Sequence, residues 1–404
     1  MKKRLLYLAV FILALGLIAH GASAERCHTY NNINVMTRNL YLGADIFYVF
    51  QVGLEDPAGI PDAVAQIYDT MLYTNFWARA EAIADEIAIN SPDVVGLQEV
   101  STFYKQTPGD FSKGNPEKAE AVVIDFYTVL DDALKDRGLC YKAFTIDNAD
   151  VELPMTDSQS STGFSDVRLV DHDVLLVHCD LPARKVLARN FKVNLEANLG
   201  GSDIEFTRGF VIVDVTKDSD IFRVVDTHLE VRSEPGSIFR FFQSVQMQEL
   251  IRTLGFLARI PTLGNWPVIM LGDFNSSPED MPGLAYHPDI TTENGRMIPL
   301  PYKPPYMQAI DNGYLDTWLL QETYDEGYTS GFDEDIDDPN DELETRIDLI
   351  FLDPLELKIE EVEADVVGNE KDDMVINDNS DLLPEALLWP SDHAGVVVNI
   401  KYSP

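Results

Sequence analysis

Six short patterns place chemically active side chains at the ends or edges of runs of apolar residues. Asn39 closes Met36-Thr37-Arg38-Asn39, Glu99 closes Val94-Val95-Gly96-Leu97-Gln98-Glu99, and His228 closes Val224-Val225-Asp226-Thr227-His228. Asp273 and Asn275 follow Val268-Ile269-Met270-Leu271-Gly272, and their two-residue spacing aims both side chains the same way from an extended backbone. Asp348 lies in Arg346-Ile347-Asp348-Leu349-Ile350, and Ser391-Asp392-His393 precedes the last apolar run. Taken singly, each of these residues reads as a polar turn or cap. Taken together, Asn and carboxylate oxygens form a hard donor set suited to Mg²⁺ or Mn²⁺, which take few protein ligands and keep room for water and phosphate. Two histidines add proton transfer near neutral pH. The spacing of Cys and His fits no zinc cage, and the sequence lacks a Gly-x-Ser-x-Gly elbow, a phosphate-binding glycine loop and a dinucleotide fingerprint.

The elements that must position these residues are mostly strands. Short β-branched runs recur at Ile33 to Thr37, Val94 to Leu97, Val174 to Val177, Phe210 to Val215, Phe222 to Val225, Val268 to Leu271, Ile347 to Leu352 and Gly395 to Ile400. Helical spacing predicts helices over Trp77 to Ile89, Glu117 to Leu134 and Ile238 to Ala258. Many strands with a few interleaved helices indicate a sheet-rich α/β sandwich. Gly295 to Tyr306, with Pro299, Pro301, Pro304 and Pro305, reads as a surface loop. Asp333 to Glu344 sets acids at several positions of a calcium-loop frame, but Asp338 and Pro339 replace the residues that frame needs. It reads as a solvated acidic loop, at most an incidental Ca²⁺ surface.

The 404 residues carry 30 Lys and Arg against 68 Asp and Glu, a formal charge of −38. Such a balance argues against a sequence-independent nucleic-acid coat or a polybasic membrane binder. Lys2, Lys3 and Arg4, the apolar run Leu5 to Ile18 and Ala22-Ser23-Ala24 have the pattern of a secretory signal. Residues 1–24 are therefore expected to be removed, leaving 25–404 as one domain, secreted or periplasmic. The loss of three cations takes the charge from −38 to −41. No second apolar run reaches transmembrane length, and no protein partner is implied. Of the three cysteines, Cys140 begins one apparent strand and Cys179 ends another; if those strands pair antiparallel, the two thiols meet and Cys27 stays free.

The ordered series Asn39, Gln98-Glu99, Thr227-His228-Leu229, Gly272-Asp273-Phe274-Asn275, Arg346-Ile347-Asp348 and Ser391-Asp392-His393 resembles the endonuclease/exonuclease/phosphatase superfamily. The resemblance spans nearly the whole chain after the leader, and Gly-Asp-Phe-Asn with Ser-Asp-His are its most specific parts. It implies a four-layer αββα sandwich, two mixed β-sheets packed face to face with helices outside, and a site at one edge of the sheets. It implies that Glu99 is the principal metal ligand, with Asn39 and Asp392 near the same ion. Asp273 and Asn275 would hold the attacking water and the scissile phosphate, and His228 and His393, the latter oriented by Asp348, would contact phosphate oxygens. Which of Asp273, His228 and His393 acts as base is left open. The sequence departs from the family at Arg38 and around Asp171-His172-Asp173-Val174, so His228 has no assigned acidic partner.

The expected activity is hydrolysis of a phosphodiester with a divalent cation, the substrate being either a nucleic acid or a phospholipid headgroup of the sphingomyelinase or phospholipase C kind. A third reading, an inactive relative that binds ligands or cations through its acidic surface, is opposed by the intact series of charged groups. Phe47, Tyr48 and Phe50, and Met297, Ile298 and Tyr302, are candidate lipid contacts, with burial the competing role for the first three.

Overall fold

A computed structural model describes residues 30–403 except 114–115, 200–201, 293, 323–324 and 378–385. The expected leader and Cys27 lie outside the described residues. In chain order the strands are β1 (Asn31–Asn39), β2 (Val94–Gln98), β3 (Thr102–Gln106), β4 (Val122–Asp125), β5 (Tyr141–Thr156), β6 (Phe164–His178), β7 (Ala183–Asn190), β8 (Leu195–Leu199), β9 (Ser202–Phe206), β10 (Gly209–Lys217), β11 (Asp220–His228), β12 (Val268–Asp273), β13 (Gly283–Ala285), β14 (Leu300–Tyr302), β15 (Leu315–Asp316), β16 (Asp348–Asp353), β17 (Lys358–Val367), β18 (Val375–Ile376), β19 (Leu387–Leu388) and β20 (Gly395–Ser403). The α-helices are α1 (Phe47–Glu55), α2 (Ile60–Tyr73), α3 (Phe76–Asn90), α4 (Phe126–Asp136), α5 (Ile238–Leu257) and α6 (Pro305–Asp311).

Two mixed sheets dominate. The first runs β17-β20-β1-β2-β6-β3-β4 with β5 also on β6, and the second runs β15-β16-β12-β11-β10-β7. Their central strands, β1, β2, β10, β11, β12 and β16, are buried on both faces over most of their length, which explains why the sequence shows continuous apolar runs there where a half-exposed sheet would alternate. Odd and even residues nevertheless part company. Ile33, Val35, Val94, Leu175 and Val177 of the first sheet meet Val211, Val213, Val224, Ile269, Leu271, Ile350 and Leu352 of the second in an inner core. Met36, Val95, Leu97, Val174 and Leu176 face α1 to α4, while Phe210, Ile212, Val225, Met270 and Phe351 face α5 and α6. Helix, sheet, sheet and helix are therefore four successive layers, as the family resemblance implies.

This parity positions the site. Counting by twos along the inner face of β1 leads from Ile33 and Val35 to Thr37 and Asn39; along β2 it leads from Val94 to Gly96 and Gln98. On β11, β12 and β16 the same count leads to Asp226 and His228, to Asp273, and to Asp348. The inner layer thus changes from apolar to polar at one end of both sheets.

Local sequence explains the departures from expectation. Glu117 to Leu134 is helical only from Phe126, because Val122-Val123-Ile124 favours strand β4 and Asp125 caps the helix by accepting from the Thr128 amide at 3.1 Å. Gly295 to Tyr306 is not wholly loop: Leu300–Tyr302 pairs with Gly283–Ala285, Pro305 opens α6, and Tyr302 and Tyr306 are buried. Phe50 is buried under the α1–α2 layer, and Phe47 and Tyr48 are partly buried against it, so packing accounts for all three. In the acidic loop Ile336 is fully buried, and Tyr73 donates to Asp337 at 2.5 Å. Cys140 and Cys179 flank the antiparallel β5–β6 pair and form a disulfide with Cα atoms 5.4 Å apart.

Candidate active site

Register in the second sheet sets three site residues side by side. His228 pairs with Asp273 across β11 and β12, and Asp273 pairs with Asp348 across β12 and β16. Gly272, one residue earlier, has φ +145°, and a Cβ there would lie 1.9 Å from the Thr227 carbonyl oxygen, so no other residue fits this close strand approach. Asn275 (φ 49°) and Glu99 (φ 57°) leave their strands in the left-handed region, an unusual conformation that turns each side chain back over the strand end. From the first sheet, Asn39 extends towards the same place, and the loop before β20 brings in Asp392 and His393.

Asp273 is the meeting point. Its Oδ2 accepts from Asn39 Nδ2 at 3.3 Å and Asn275 Nδ2 at 3.4 Å and lies 3.4 Å from His228 Nε2, while Oδ1 accepts from the Asn275 amide at 2.8 Å. Asn39 Nδ2 also donates to Glu99 Oε1 at 3.2 Å, and its Oδ1 accepts from the Tyr41 amide at 2.9 Å. Glu99 Oε2 accepts from the Leu42 amide at 2.8 Å. Ser391 Oγ ties the third segment in, donating to the Asn39 carbonyl at 2.9 Å and lying 3.3 Å from Asp392 Oδ1. All eight residues expected from the sequence therefore lie in one connected group.

The two histidines are held differently. His393 Nδ1 lies 2.8 Å from Asp348 Oδ2, and Asp348 is 1 % exposed. Burial opposes a charge on this ring, but Asp348, Asp392 and Asp273 outweigh it and hold the imidazolium well above its ordinary range. His228 Nδ1 instead lies 2.9 Å from Arg208 Nη1. A guanidinium only donates, so Nδ1 accepts and the ring hydrogen sits on Nε2, facing the site. Burial, then Arg208, then His393 push the His228 pKa well below its ordinary range, so it is a neutral donor.

The carboxylates are short of compensation. Burial, reinforced by Asp392 and Asp171, raises Glu99 to about 7; burial, reinforced by Asp348, raises Asp273 to about 7; burial also raises Asp392. Buried oxygens of this kind, with hydrogen-bond donors only in part, fit a hard divalent cation, whose charge would draw all three groups back towards ionisation. One oxygen each of Asp273 and Asp348 and a ring nitrogen of His393 lie within 4.8 Å of one another, the one such convergence of three acidic, His or Cys ligands among the described residues. With His393 held as an imidazolium, this group offers a cation its carboxylates alone. The acidic loop from Asp333 to Glu344 contains no comparable convergence.

Three supporting residues went unrecognised in the sequence. Arg208 is the partner of His228. Its guanidinium lies 4.0 Å from Asp171, and Ser101 Oγ donates to Asp171 at 3.0 Å. A register count could have found Arg208: the β10–β11 hairpin pairs Phe210 with Thr227, so the residues just before Phe210 must lie beside His228. Arg38, a departure from the family pattern, is fully buried; it donates to the His393 carbonyl and to Glu86 at 3.0 Å, fixing the loop that carries His393. Arg79 is its neighbour in function, donating to the carbonyls of Leu40 (2.6 Å), Tyr41 (3.0 Å) and Pro390 (3.0 Å) and so tying the two site-bearing segments together.

The profile of the Endonuclease/Exonuclease/phosphatase family matches residues 74–393. Among solved structures, an endonuclease/exonuclease/phosphatase family protein from Bacteroides thetaiotaomicron aligns with a TM-score of 0.50 at 14% identity, over 93% of this chain and 100% of that one. A mannosyl-6-phosphatase from Bacteroides thetaiotaomicron VPI-5482 aligns with a TM-score of 0.48 at 15% identity, over 91% and 99%. Truncated Caenorhabditis elegans TDP2 aligns with a TM-score of 0.46 at 14% identity, over 91% and 97%. No curated protein matches the chain.

Proposed function

The chain belongs to the endonuclease/exonuclease/phosphatase family, whose members hydrolyse phosphoester bonds, and on that footing we propose that it is an exported, divalent-metal-dependent phosphodiesterase. The observation that carries the reading is the placement of two histidines on either side of Asp273, His393 backed by the Asp348 carboxylate and His228 backed by the Arg208 guanidinium. Glu99, with Asn39 and Asp392 beside it, would hold Mg²⁺ or Mn²⁺. A bound ion would supply Lewis-acid polarisation of a phosphoryl oxygen. The remaining chemistry belongs to the chain. His393, charged through Asp348, offers a positive hydrogen bond to a phosphoryl oxygen on which charge builds in the transition state. His228 Nε2–H and Asn275 Nδ2 offer two further donors. Asp273, whose Oδ2 stands between His228 Nε2, Asn39 Nδ2 and Asn275 Nδ2, is the group best placed to take a proton from an attacking water.

Export through residues 1–24 is supported by the Cys140–Cys179 bridge, since disulfides persist in oxidising compartments. Among the described residues no helix is long and apolar enough to cross a membrane. The deciding experiment is hydrolysis of bis(p-nitrophenyl) phosphate with Mg²⁺ or Mn²⁺. Activity should disappear with EDTA and fall by about 10² or more in Glu99→Gln. Chelator-insensitive turnover would exclude the metal-dependent reading.

A further inference from the structure

The site opens onto a cleft of about 860 Å³ lined by Asn275, His393, Arg232, Ser330 and Met281. Met281 also begins a flap, residues 281–301, in which large apolar side chains point away from the protein. Met281 is 73% exposed, and Leu284, Tyr286, Ile290, Met297 and Ile298 are exposed as well. The flap is a built structure. Leu284 pairs with Pro301 across β13 and β14, the Ile298 amide donates to the Ile290 carbonyl at 2.8 Å, and Thr291 bridges to Met297. Ala285 and Tyr302 are buried beneath it, and the Tyr286 amide donates at 3.0 Å to Gly236, next to the cleft-lining segment 231–235. An exposed apolar patch of this kind, continuous with a catalytic cleft, marks what the substrate brings with it.

Charge narrows the class. Between residues 281 and 301 only Asp289, Glu293 and Arg296 are charged, in a chain whose overall charge is −38. A nucleic acid would need a cationic track beyond the scissile phosphate; the flap offers a single arginine, and the cleft's Arg232 and Arg240 are both paired with Asp280, at 3.1 and 2.8 Å. An anionic membrane would be repelled by the surface as a whole. A layer of zwitterionic lipid carries no net charge, so neither objection applies, and it presents a phosphodiester just above an apolar phase.

Resting on the phosphodiesterase reading above, we propose that the 281–301 flap docks on a zwitterionic phospholipid surface and brings headgroup phosphodiesters to the cleft. Ile290, Met297 and Ile298 enter the interfacial region while the phosphate reaches His393 and Asn275 past Met281. The test uses the full chain as recovered after export, with the combined variant Ile290→Glu, Met297→Glu and Ile298→Glu, all at exposed positions away from the catalytic group. Two quantities are read: sedimentation with phosphatidylcholine vesicles, and hydrolysis of soluble bis(p-nitrophenyl) phosphate with Mg²⁺. The expected result is a loss of vesicle binding of about tenfold or more in the variant, with hydrolysis of the soluble ester unchanged. Wild-type protein that hydrolyses the soluble ester but ignores the vesicles, or binds them no better than the variant, overturns the docking surface and leaves the phosphodiesterase standing. Preference for phosphatidylserine vesicles, or for plasmid DNA over either lipid, overturns it too. Vesicle binding that the variant loses, without hydrolysis of the soluble ester, keeps the surface and overturns the catalytic reading on which its substrate rests.

Discussion

The two histidines at the site stand on opposite sides of Asp273 and are held by opposite partners. His393, in the loop before β20, has a carboxylate behind its Nδ1; His228, at the end of β11, has a guanidinium behind its own. The first ring is thereby kept charged and the second kept neutral, although both are buried. An imidazole in itself does not define a role; the group behind it does. A phosphoryl group approaching this pair meets one cationic donor and one neutral donor, and the Asp273 carboxylate keeps its proton-accepting capacity because only one ring can compete for it by charge.

The most severe way to break the asymmetry is His393→Ala, which removes the charged member of the pair. Turnover should fall by about 10² or more, since the lost hydrogen bond is worth most in the transition state. Circular dichroism should be unchanged, because His393 packs in a loop at the edge of the core. Wild-type-like turnover would exclude His393 from the reaction.

Asp348→Asn acts on the same ring more gently. With the carboxylate gone, the His393 pKa drops, because Asp348 is the largest of the influences holding it up against burial. The charged form is present below that pKa and lost as pH rises through it. The alkaline limb of the pH–rate profile should therefore move to lower pH, with a rate loss of about tenfold or more at neutral pH. An alkaline limb that stays in place would assign it to another group.

Arg208→Met tests the other side. Nδ1 of His228 would lose its obligatory donor, and the ring could then place its hydrogen on either nitrogen or accept a second one. Arg208 is one of the forces depressing this pKa, so the variant's His228 should titrate at higher pH than in the parent. A ring NMR titration reads this directly, and a purely structural role for Arg208 would leave it unmoved. The rate should fall by about tenfold, less than for either change at His393, because a neutral donor contributes less than a charged one.

The sequence announced His393 and His228 but only one of their partners. Asp348 stands inside a motif, in Arg346-Ile347-Asp348, whereas Arg208 belongs to a segment between β9 and β10 that has no recognisable pattern of its own. Its role arises from hairpin register, a property of two strands together. The same reason separates the legible from the illegible elsewhere. The core strands declared themselves because burial on both faces demands unbroken β-branched runs. Helices α1 and α2 did not, because Gly53, Pro57, Gly59 and Pro61 interrupt their apolar spacing, and it is packing of α2 against β5 and of α1 against α2 and β8 that holds them in line. In the acid-rich stretch Asp171-His172-Asp173, local pattern suggested a motif of the family that could not be identified. The structure shows why: Asp171 supports Arg208, and Asp173 is buried with both carboxylate oxygens lacking a hydrogen-bond partner.

That buried acid leads to the subtlest test, directed at the layer behind both histidines. Asp226 lies two residues before His228 on the same inner face, fully buried, with Oδ1 accepting from Gln98 Nε2 at 2.7 Å and Oδ2 unpartnered. Burial raises its pKa to about 8, and it pushes the Asp173 pKa up in turn. The sign follows from linkage. In the unfolded chain an aspartate ionises near ~3.9, so between that value and about 8 the folded state holds a proton that the unfolded state has released, and stability falls as pH rises through this window. Asp226→Asn keeps an oxygen for Gln98, replaces the unpartnered Oδ2 with an amide donor near Asp173, and cannot ionise. At pH 5 the variant and the parent should melt at nearly the same temperature. At pH 8 the variant should melt higher, by roughly 1–2 °C for each kcal/mol of ionisation cost removed. The rate of phosphodiester hydrolysis should change least of all the variants, because Asp226 faces the closed interior and touches neither histidine. A melting difference that is the same at both pH values would show that Asp226 is not protonated in the fold, and a loss of activity equal to that of Arg208→Met would mean that the inner layer and the site titrate as one unit.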